Sequence, residues 1–71
     1  MITINLKNRP DSKQELWLVK NVGPRLHYLH NSIGGEGWIF RHDWTASGTR
    51  QWTLSFEDDK IASWFLIMFP Q

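Results

Sequence analysis

Few residues in this 71-residue chain are of types that could do chemistry, and their spacing argues against most of it. The histidines are His27, His30 and His42. The first two stand three apart, which places them on one face of a helix but on opposite faces of a strand, so they can share an ion only if the segment is helical. Asp43 adds a carboxylate beside His42, but nothing in the sequence fixes its distance from the other two. With no cysteine and no HExxH-type spacing, no metal and no catalytic thiol are expected. Gly34-Gly35-Glu36-Gly37 has the look of a phosphate cradle. A P-loop, however, continues into Lys and Ser/Thr after its last glycine, whereas here Trp38 follows and Glu36 would repel an anion. A glycine-supported turn is the simpler reading. Ser12, Ser32, Ser47, Ser55 and Ser63 lack a nucleophile-elbow context, and the best carboxylate pair, Asp58-Asp59, falls at a helix start. No acid–base set converges, so neither an enzyme nor a cofactor is expected.

The aromatic and arginine content points to binding instead. Five tryptophans, four phenylalanines and one tyrosine are a large load for 71 residues. Arg25, Arg41 and Arg50 flank or interleave with Tyr28, Trp38, Phe40, Trp44 and Trp52. Single-strand nucleic-acid binders stack bases on such aromatics and place cations along the phosphates, which makes Arg25, Tyr28, Arg41 and Arg50 the candidate residues for that activity. Against it stand a net charge of only +1 and the need of a small sheet for the same aromatics in its core. Protein recognition is the other class, because Trp, Tyr and Arg dominate interface energies. Trp44, in His42-Asp43-Trp44-Thr45, is the tryptophan least explained by a strand pattern. It is therefore expected to face a partner, with Arg41 and Arg50 beside it, whereas Trp38 and Trp52 are expected in the core.

These residues must be positioned by a single domain, since the length allows no more. A chain this short buries only about 60% of the surface its unfolded form exposes, so the core has to be dense. Ile2, Ile4 and Leu6 alternate with polar residues as in a half-buried strand. Asn8-Arg9-Pro10-Asp11 breaks the pattern. Ser12 and Glu15 then have the spacing of a capping box, and apolar residues at helical intervals predict a helix over 12–21, ended by Gly23-Pro24. Residues 25–30 fit either a short strand or a helical turn. Residues 31–37, with Gly34, Gly35 and Gly37, read as a loop. Strands are predicted from Trp38 to His42 and from Trp52 to Phe56, with a turn region over 43–50 between them. Glu57-Asp58-Asp59 opens a second helix, where the dipole favours acidic residues. The layout is α+β: a small antiparallel sheet of three to four strands with two helices on one face.

The second helix carries more apolar directions than one sheet face can cover. Either its last residues leave the helix for an edge strand, or Trp64, Leu66 and Phe69 form an interface with a partner or with a second copy. The longest apolar stretch, Ile61 to Phe69, is too short for the roughly 20 residues that span a bilayer, and the N-terminal pattern is not that of a signal peptide. A soluble, cytoplasmic protein without membrane contact is expected.

The stretch from Trp52 to Phe69 resembles the ends of many small tailed-phage proteins of unassigned activity. Those finish in a strand, an acidic turn and an Ala-x-x-Phe-x-Leu-x-aromatic pattern, matched here by Phe56, Asp58, Ala62, Phe65, Ile67 and Phe69. Ile67 stands where leucine is usual, and Phe69 where tryptophan is commoner. The Gly34–Trp38 segment is compatible with the same group. The resemblance covers about a third of the chain and implies a phage origin and a compact α+β fold, without an activity. Together with the aromatic surplus, it leads to an expected non-enzymatic protein of the bacterial host cytoplasm. Such a protein would bind a host protein or nucleoprotein machine and modulate it, in anti-defence or host takeover. Single-stranded DNA or RNA binding is the alternative.

Overall fold

The computed structural model describes residues 1–7, 9–29 and 31–71. In chain order the elements are β1 (Ile2–Leu6), α1 (Ser12–Asn21), β2 (Arg25–Leu29), β3 (Ser32–Gly35), β4 (Trp38–Trp44), β5 (Arg50–Phe56) and α2 (Asp59–Met68). The sheet has five strands in the order β1-β5-β4-β3-β2, and every neighbouring pair is antiparallel. The α+β class is as expected, but the sheet is larger than three to four strands.

The additional strand is β3, in the glycine segment read as a loop. Glycine weakens a strand unless another group needs the space its side chain would take. Here two rings do. A Cβ on Gly34 would run into the His27 imidazole across the strand, and one on Gly35 would run into the Trp38 indole and the Pro24 carbonyl. These residues are paired neighbours, Gly34 with His27 and Gly35 with Trp38. The reversal into β4 needs only Glu36 and Gly37, the latter at φ +84.

Strand alternation sorts the side chains into two faces. One row on the core face runs Ile4, Leu54, Phe40, Ile33, Tyr28 across all five strands. Rows on either side bring Phe56 next to Trp38, and set Trp52 between Leu6 and His42. The buried cluster of Leu6, Leu18, Trp38, Phe40, Leu54, Phe56, Ala62 and Phe65 joins this face to both helices. The Trp38 Nε1–H donates to the Gly23 carbonyl at 2.8 Å, tying the end of α1 to the sheet. The opposite face carries Thr3, Asn5, His27, Ile39, Arg41, Thr53 and Ser55.

Helix α1 covers the expected residues, but its cap lies one residue earlier than the Ser12/Glu15 spacing suggests. Asp11 is the N-cap and accepts from the Gln14 N–H at 2.9 Å. Asp58 caps α2, accepting from the Lys60 N–H at 2.9 Å. Helix α2 continues to Met68, so no edge strand forms from its last residues. No helix among the described residues is long and apolar enough to cross a membrane.

Candidate functional site

The core face of the sheet is not covered along its whole length. Beyond Phe40 the next side chains along β4 on that face are His42 and Trp44, paired in register with Trp52 and Arg50 of β5. Strand β4 therefore runs past the predicted boundary at His42. Trp44 is a strand-end residue, not part of the turn, because the 38-40-42-44 alternation persists until Thr45–Thr49 reverses the chain. That reversal is closed by the Thr45 N–H donating to the Thr49 carbonyl at 2.8 Å, with Gly48 at φ +84.

This uncovered stretch forms a groove of about 440 Å³. Ile33, Phe40, His42 and Trp52 lie along the sheet, Tyr28 stands on the β2 side, and Trp44 and Arg50 stand at the far end. The start of α1 and the residues before it, Arg9 to Ser12 and Glu15, line it as well. The His42 and Trp52 ring centres lie 4.6 Å apart; Trp52, expected in the core, is partly buried against it and also lines the groove. Trp38, by contrast, is 3% exposed.

Trp44 and Tyr28 are each 66% exposed. The Arg50 guanidinium lies 5.3 Å from the centre of the Trp44 ring, and Arg25 lies 5.9 Å from that of Tyr28. Such stacking holds both partners by cation–π attraction, worth about 0.5–1 kcal/mol at an exposed site. Arg25 is additionally paired with Glu15 at 3.0 Å, so its charge is partly engaged within the chain.

The candidate residues therefore separate into three places. Trp44 and Arg50 meet at the groove. Arg41 lies on the opposite sheet face, opposite Thr53 in register, and takes no part in it. The third place is α2 and its C-cap residue, which together carry Trp64, Leu66 and Phe69. Of these, Phe69 is turned inward: its ring centre is 5.1 Å from that of Phe65 and 6.2 Å from that of Trp17. Trp64 and Leu66 are 45% and 38% exposed, and Ile67, which sequence reading passed over, is 75% exposed.

The set expected to bind nucleic acid splits in the same way, with Arg25, Tyr28 and Arg50 on the core face and Arg41 on the other. Sequence reasoning also missed Arg9, a second cation at the groove, because it sits in a chain break with no periodicity to orient it. His30, and with it the His27–His30 spacing, lies outside the described residues, as does Asn8. Among the described residues no three His, Asp or Glu side chains gather as metal ligands.

No protein-family model matches this chain, and no curated protein or solved structure matches it either.

Proposed function

We propose that this is a small phage-encoded, non-enzymatic protein that binds a host protein, or a protein component of a host nucleoprotein machine, through the aromatic–arginine groove, and modulates it. The reading rests above all on Trp44. It is a large, flat, 66% exposed side chain at the end of a strand, held by Arg50 at the rim of a concave surface. An indole fixed in this way buries much area at little entropic cost when a partner closes over it, which is the character of an interface hot spot. The apolar floor of Ile33, Phe40 and Trp52 would receive an anchoring side chain of the partner, while Arg9, Arg50, Asp11 and Glu15 supply a polar rim of both signs. The phage and host parts of the proposal draw on the resemblance of the C-terminal third to small phage proteins.

Single-stranded nucleic acid is a second reading, favoured by Arg9 and Arg50 standing beside Tyr28 and Trp44 in one groove. Asp11 and Glu15 in the same groove oppose a phosphate chain, which places this reading second. Capture from a nuclease-treated bacterial lysate, with Trp44→Ala as control, tests the first reading. A host protein held by the parent chain and lost with the variant supports it, and a parent chain that holds none contradicts it. Tryptophan fluorescence titrated with oligonucleotides at low salt tests the second; an unchanged signal removes it.

A further inference from the structure

Helix α2 has a second unpartnered surface, separate from the groove. Lys60, Trp64, Ile67 and Met68 are spaced so that they fall along one outward stripe of the helix. Ile67 is 75% exposed, Met68 51% and Trp64 45%. Trp64 is not loose: its ring packs edge-on against Trp17 of α1, with centres 5.2 Å apart, so the indole is presented in a fixed position. Leu66 falls on the other flank of the helix, and Phe69 is partly buried against the core.

From this we infer that the stripe pairs antiparallel with the same stripe of a second copy of the chain. Two features favour a second copy as the occupant. The stripe is complementary to itself when reversed: about a two-fold axis between Trp64 and Ile67, each Trp64 meets the Ile67 of the other copy, and each Ile67 meets a Trp64. The charges also match. The last turn of α2 carries no basic residue of its own to offset its negative dipole end. The reversed arrangement brings Lys60 of one copy to the helix C-terminus of the other, while Asp59, by helical spacing, projects away from the stripe. Three exposed apolar side chains per copy make an interface smaller than the total of about 1,000 Å² expected of a stable complex, and therefore a weak one. An interface of that size makes a dimer that dissociates on dilution.

Sedimentation of the purified full chain over a wide concentration series is the test. The expected result is a mass of 8.4 kDa in dilute solution that rises toward twice that value in the high micromolar range. Ile67→Lys should hold the chain at the monomer mass with an unchanged melting temperature, since the side chain it replaces is largely exposed. Lys60→Glu should raise the dissociation constant about tenfold by setting a negative charge against the helix end. A monomer at every concentration overturns the inference, as does association unaffected by Ile67→Lys. Association that ignores Lys60→Glu overturns the antiparallel arrangement.

Discussion

Trp44 and Trp38 are two tryptophans on the same strand and the same face, with opposite roles. Trp44 extends past the helices, in contact with Arg50 but not with the buried cluster. Replacing it with alanine should leave unfolding free energy within about 1 kcal/mol of the parent, as for most surface changes, while weakening partner binding by roughly 2 kcal/mol or more. Thermal melts and affinity measured on the same sample separate the two effects. Trp38 is 3% exposed and donates to the Gly23 carbonyl. Trp38→Ala should cost roughly 3–5 kcal/mol and leave that carbonyl without its donor, enough to unfold a domain of this size. Circular dichroism at room temperature reads this directly. Gly35 is bound to the same indole. A Cβ there would meet Trp38 Nε1 and the Pro24 carbonyl oxygen, each at 2.5 Å, and neither a buried ring nor backbone can move aside. Gly35→Ala should therefore destabilise by roughly 1–3 kcal/mol, the usual cost of overpacking. Gly34→Ala should cost less, because what it meets is the partly buried His27 side chain and no backbone atom. Urea denaturation of the two variants side by side checks the order.

Among the elements, α1 offers a clean test of which residue begins it. Asp11, and not Ser12, accepts from a backbone N–H of the first turn. Asp11→Ala should lower stability by about 1 kcal/mol, whereas Ser12→Ala should stay within about 0.5 kcal/mol. Equal losses from the two variants in chemical denaturation would contradict this assignment. The same helix illustrates what local pattern can convey. Its extent follows from the apolar spacing and from Gly23-Pro24, and β1, β4 and β5 follow from alternation, because each of these signals is carried by residues adjacent in sequence. Strand β3 was not legible, since Gly34 and Gly35 have the local chemistry of a loop. Their suitability for a strand depends on His27 and Trp38, which approach only after the sheet has formed. The groove was half legible for the same reason. Trp44 is exposed as expected, but for another reason: the expectation placed it in a turn, whereas β4 carries it on the core face beyond the buried cluster. The placement of Tyr28 in the same groove depends on β2 pairing through the glycine strand, a contact that local periodicity does not describe.

At the scale of the whole molecule, five strands and two helices make one core, and two surfaces among the described residues are proposed to make contacts outside it. One is the groove beyond the end of the helix-covered sheet, and the other is the outer stripe of α2. The groove mixes aromatics with charges of both signs, which suits recognition of another protein, while the stripe is apolar and self-complementary. The surfaces are built from different residues, so Trp44→Ala should leave self-association unchanged and Ile67→Lys should leave groove binding unchanged, apart from any avidity gained by pairing two grooves. The groove is the central claim, and position-specific photo-crosslinking in bacterial cells tests it most directly. With a photoreactive amino acid in place of Arg9, at the groove and with Trp44 intact, illumination should yield a discrete adduct of the chain with a host protein. The same probe in place of Asn5, on the opposite face of the sheet, should yield none. An adduct from position 5, or no adduct from position 9, would contradict the assignment of the groove as the binding surface.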